Sequence, residues 1–68
     1  MKFRFKGTGT LLVDTLTTNQ IYNIIQFQKT EKYLIVYVID NENKVIYIPY
    51  ISIGEFNIEW EYIDEESD

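Results

Sequence analysis

Two stretches of seven consecutive apolar residues, 33–39 and 45–51, flank a five-residue polar segment, 40–44, in a chain of 68 residues. Each is far shorter than the roughly 20 residues a membrane-crossing helix needs. Seven residues is the length of a strand, and five polar residues make a hairpin connection, so the two runs read as antiparallel neighbours. Composition supports this: 21 residues are β-branched, eleven are aromatic, and alanine, the best helix former, is absent. Pro49 has no N–H to give a ladder, so the second run lies at a sheet edge or bends there.

Three more strands follow from alternation. Met1, Phe3 and Phe5 interleave with Lys2, Arg4 and Lys6, and Ile58, Trp60 and Tyr62 interleave with Asn57, Glu59 and Glu61. Residues 21–29 form a strand with Ile21, Ile25 and Phe27 on one face and Tyr22 and Ile24 on the other. Gly7 and Gly9 permit positive φ after the first strand, residues 11–13 are a short apolar stretch, 16–20 a loop, and 30–32 a polar turn. Ser52-Ile53-Gly54-Glu55 matches a capping box, and with Gly54 inside it predicts a single 3₁₀ turn before the last strand. The expected fold is all-β: a small five-stranded SH3-like barrel over residues 1–63, with 64–68 as an acidic tail.

Leu16-Thr17 ahead of Ile21-Tyr22, the run 33–39, the connection 40–44, Tyr47-Ile48-Pro49 and Glu55-Phe56 resemble, in pattern and order, small SH3-like barrel proteins of phages and prophages of low-GC bacteria. The likeness spans residues 16–56. Such proteins often carry Asp-Asp-x-Gly in the central turn, where this chain has Asp40-Asn41-Glu42-Asn43; asparagine tolerates the left-handed conformation the turn requires. The resemblance implies a phage-encoded accessory protein acting in the host cytoplasm on a host protein, with an anti-defence role among the expectations.

Chemistry narrows the function classes. Without cysteine or histidine the chain lacks a thiol nucleophile, an imidazole base and the soft metal ligands, so no enzyme, cofactor or metal is expected. The net charge of −5 comes entirely from residues 59–68, which hold six acids and no base; the rest, with six bases and five acids, is nearly neutral. Nucleic-acid binding is therefore not expected. Lys2, Arg4 and Lys6 form a candidate anion contact, but pairing of the first and last strands would set them against Glu59 and Glu61 instead. Asp64, Glu65, Glu66 and Asp68 are candidate docking acids for a basic partner, with a solubilising tail as the plainer reading.

The two apolar runs carry the sharpest signal. A strand points alternate side chains to opposite faces, so half of each run lies outside the core and 68 residues supply no second layer to cover it. Tyr33, Val36, Tyr37, Val38, Ile46, Ile48 and Tyr50 are the candidate interface, with Val36 and Val38 outside if Tyr33, Ile35 and Tyr37 point inward. The expected activity is non-enzymatic binding of a host protein, together with homo-oligomer formation. The alternatives are an oligomer that sequesters an anionic small molecule such as a nucleotide signal, and a small virion subunit.

Overall fold

Phe3 and Phe5 turn inward from β1 (Lys2–Phe5) and leave Lys2 and Arg4 on the other face, as their alternation predicts. The computed structural model describes residues 1–7 and 13–63. After β1 come β2 (Ile21–Lys29), β3 (Leu34–Ile39), β4 (Val45–Tyr50), the helix α1 (Ile53–Glu59) and β5 (Trp60–Ile63). All pairings are antiparallel, in the order β4-β3-β2-β1-β5. The fold is thus mostly β, with five strands in one sheet. The sheet is not closed, because β4 and β5 end the strand order and α1 stands between them in sequence.

A bulge in β2 decides which side chains reach the core. Ile24 pairs with Val38, but Gln26 rather than Ile25 pairs with Tyr37. The extra residue shifts the alternation by one, so Tyr22 and Ile24 point inward before the bulge and Phe27 packs against the same core after it. Phe27 therefore joins Tyr22 and Ile24 instead of sharing a face with the exposed Ile21 and Ile25. In the neighbouring strand Val36 and Val38 are fully buried at 0% exposure; on β4 Ile48 lies opposite Val36, and the buried Tyr50 lies opposite Leu34.

The predicted 3₁₀ turn is a seven-residue α-helix. Ser52 caps it by accepting the Glu55 N–H, as the motif predicts, while the Glu55 carboxylate accepts from Ile51 N–H, one residue before the cap. The helix persists because Phe56 is buried among aromatic rings, with centroids 5.3 Å from Phe3, 5.5 Å from Phe27 and 5.7 Å from Tyr50. Tertiary packing outweighs the poor helix propensity of Gly54. The last strand accordingly begins at Trp60, and Ile58 and Glu59 belong to the helix.

Gly7 takes φ of +69° and lies so near Thr18 that an added Cβ would stand 2.5 Å from its Oγ1, so glycine is required there. Residues 8–12, including Gly9 and most of the short apolar stretch 11–13, lie outside the described residues, as does the tail 64–68.

Candidate functional site

The outer face of the β2-β3-β4 sheet is the candidate site. Opposite the buried Val36 and Val38, β3 turns Ile35, Tyr37 and Ile39 outward; register sets these against Pro49, Tyr47 and Val45 of β4. The three β3 side chains are half-buried, whereas Val45 is 57% and Tyr47 69% exposed. The Tyr37 and Tyr47 rings lie 6.2 Å apart, tilted at 42°, and the Tyr37 hydroxyl donates to Gln28 Oε1 at 2.8 Å. Ile25, exposed at the bulge, and Ile51 extend the apolar surface. No charged side chain occurs in β3 or β4.

This placement corrects the sequence-based interface. Val36, Val38, Ile48 and Tyr50 are core residues, and Ile46 is partly buried against the core, so none of these five forms the outer face. Tyr37 remains on that face, and Tyr33 is exposed in the β2–β3 turn, where it exchanges bonds with Thr30. Ile35, Ile39, Val45 and Tyr47 are the residues that sequence reasoning missed. An uninterrupted apolar run has no alternation from which to read its phase; only pairing with β2 fixes it.

The basic stripe is divided among structural partners. β1 and β5 pair in register, with Arg4 opposite Glu61, and Arg4 Nε lies 3.5 Å from Glu61 Oε1 as an ion pair at the surface. Lys6 Nζ donates to the Asn57 carbonyl at 2.9 Å, near the helix C-terminus where a cation is favoured. Lys2 stands across from Ile63 and Asn23. An anion would compete with Glu61 for Arg4 and with the helix end for Lys6. The candidate docking acids Asp64, Glu65, Glu66 and Asp68 lie outside the described residues.

Through its backbone carbonyl Glu59 accepts the Lys6 N–H at 2.7 Å, but its side chain turns inward. It is 3% exposed, and its Oε1 accepts from the Tyr50 hydroxyl at 2.6 Å, while the same hydroxyl accepts from Trp60 Nε1 at 2.8 Å. Burial, reinforced by Glu59, pushes the Tyr50 hydroxyl well above the ordinary tyrosine value of 10.0. Tyr50 therefore stays protonated and ties the end of β4 to the helix–β5 junction. With Tyr50, Glu59 and Trp60 all 2–3% exposed, the group acts as a latch between elements.

A second polar network orders the other end of the sheet. Asp40 carboxylate Oδ1 accepts the Glu42 and Lys44 amides at 2.9 Å each, and Asn43 adopts φ of +63° to complete the turn. The Lys44 amide is the foremost cause holding Asp40 below its usual carboxylate value of 3.8. The turn is thus held above the carboxylate range and loses this support only as pH falls through it. Tyr22 hydroxyl accepts from Thr17 N–H at 2.6 Å and donates to Asn41 Oδ1 at 2.9 Å, which fastens the loop before β2 onto the hairpin turn.

No family model, curated protein or solved structure matches the chain. Among the described residues no helix is long and apolar enough to cross a membrane, and no group of three or more acidic side chains is placed to hold a metal ion. Among the described residues the arrangement offers an uncharged apolar and aromatic surface on β3 and β4.

Proposed function

We propose that this chain is a non-enzymatic interaction module that docks a protein on the outer face of β3 and β4. The observation that carries this reading is the cluster of Ile35, Tyr37, Ile39, Val45 and Tyr47, turned away from the core and without a charge in either strand. Exposed apolar groups gathered on one face mark interaction surfaces, and tyrosine adds both area and a polar tip suited to such surfaces. The pairing of first and last strands, with a helix just before the last, supports an SH3-like relationship. That relationship, with the resemblance over residues 16–56, supports a phage accessory protein that binds and modulates a host protein.

The test is affinity purification of the tagged chain from a low-GC bacterial host, in parallel with Ile35→Lys and Arg4→Ala variants that retain the wild-type melting curve. The reading expects one stoichiometric partner, retained by Arg4→Ala and lost by Ile35→Lys, and about tenfold or greater weakening when the purified partner is titrated with Ile35→Lys. Equal capture by all three proteins overturns docking on this face. Capture that depends on Arg4 instead favours the anion-binding alternative.

A further inference from the structure

The backbone of β4 has a side that the hairpin leaves unused. Asp40 N–H donates to the Lys44 carbonyl at 2.9 Å, which fixes residues 40 and 44 as a hydrogen-bonded pair. Such pairs alternate with non-bonded pairs along an antiparallel ladder. In the observed register Val38–Ile46, Val36–Ile48 and Leu34–Tyr50 carry the hairpin bonds, and Val45, Tyr47 and Pro49 direct their backbone groups away from β3. The β2–β3 turn gives the same phase: Thr30 N–H donates to the Tyr33 carbonyl at 2.8 Å, so Gln28–Ile35 and Gln26–Tyr37 are bonded pairs and Val36 and Val38 are left to bond β4. Pro49 occupies a position where its missing N–H takes nothing from the hairpin.

Edge strands are normally protected by charged side chains, proline or a covering element. From Val45 to Tyr50 there is no charge; Pro49 stands near one end and the exposed Lys44 just before the other. Val45 and Tyr47 each offer a donor and an acceptor to the edge, and no bond from another described element reaches either.

We propose that this edge pairs with β4 of a second copy of the chain, antiparallel, about a two-fold axis at Ile46. The outward residues are two apart, so Val45 of one copy meets Tyr47 of the other and the reverse, closing about four backbone bonds symmetrically. The next outward position on each side is Pro49, which ends the ladder. On the outer face Val45 packs beside Tyr47 of the second copy, an aliphatic–aromatic cross-strand pair, and no charged side chain enters the paired segment. Glu61, in β5, lies at the opposite end of the strand order from this edge. A foreign strand has none of this self-complementarity to recommend it. The pairing also joins the two outer faces into one surface, and it stands whether or not that surface docks a host protein.

Sedimentation velocity at about 100 µM, where a micromolar dimer is almost fully formed, tests the proposal. Wild type is expected at twice the 8.2 kDa chain mass. Tyr47→Pro removes an outward N–H without touching a hairpin bond and is expected to return the mass to 8.2 kDa. Ile35→Lys, on the outer face, is expected to leave the dimer intact. Amide exchange on the wild type gives a second reading that needs no variant: Val45 and Tyr47 are expected to be slow, although no other described element bonds either amide within one chain. A monomeric wild type, fast exchange at those amides, or a dimer lost in Ile35→Lys but kept in Tyr47→Pro overturns the edge pairing.

Discussion

β4 and β5 both end the sheet, yet they are finished in opposite ways. β5 is fastened through side chains: Trp60 is buried and bonded to Tyr50, Glu61 pairs with Arg4, and the helix leads directly into it. β4 is fastened to the helix and β5 junction at Tyr50, while Val45 and Tyr47 are exposed at the end nearer the hairpin turn. A strand whose edge is supported by polar and aromatic side chains has its partners within the chain. One that offers only apolar side chains and spare backbone groups has a surface suited to partners outside it.

Removing the aromatic support should abolish the contrast altogether. Phe56 contacts Phe3, Phe27, Tyr50 and Trp60, and so bears on both edges from the helix. Phe56→Ala is expected to cost about 3–5 kcal/mol in urea unfolding. That matches the roughly 3–5 kcal/mol that a core of this size supplies, so the variant should be largely unfolded at 25 °C. A loss below about 1 kcal/mol would show that the helix is not what holds the open sheet together.

A smaller intervention loosens only the latch. Tyr50→Phe leaves the Trp60 N–H and the Glu59 carboxylate without the hydroxyl that serves both, at an expected cost of about 1–3 kcal/mol near neutral pH. The pH dependence separates this from simple loss of packing. In the folded chain Tyr50 keeps its proton at pH values where the unfolded chain, with the ordinary value of 10.0, has released it. Its contribution is complete below that value and drains away as pH rises beyond it. Wild type should therefore lose stability more steeply than Tyr50→Phe in alkaline melts; parallel curves would remove Tyr50 from the latch.

The sequence exposes the two edges unequally. Strict alternation reveals β1, and the Ser52–Glu55 motif locates the helix start, because both are local signals read at fixed spacing. The helix length is hidden: Phe56 and Trp60 are four apart and both buried, but Ile58, Trp60 and Tyr62 also alternate, and only packing on the sheet decides between the two periods. The β2 bulge is hidden as well, since it changes the inward phase from Tyr22 and Ile24 to Phe27 without any glycine to mark it. The candidate face inherits that uncertainty of phase, which is why Val36 and Val38 belong to the core while Ile35 and Tyr37 border solvent.

The least costly change falls on the surface of the better-fastened edge. Arg4 and Glu61 are 40% and 57% exposed at the side chain, and Arg4 Nε approaches Glu61 Oε1 at 3.5 Å. Water screens such a pair, and holding two long side chains in one geometry costs entropy, so a coupling of about 0.2–1 kcal/mol is expected from Arg4→Ala, Glu61→Ala and the double variant. The coupling should shrink in 1 M salt, where the screening length falls to about 3 Å. The backbone ladder between β1 and β5 remains in all three variants, together with the buried Phe5 and Trp60 pair, whose rings stand 5.0 Å apart. If β5 instead depends on the ion pair, the coupling will exceed about 2 kcal/mol and the amides of residues 61–63 will exchange freely in Arg4→Ala. Such a result would make the fastening of β5 electrostatic, and the contrast with β4 would then fade as salt rises.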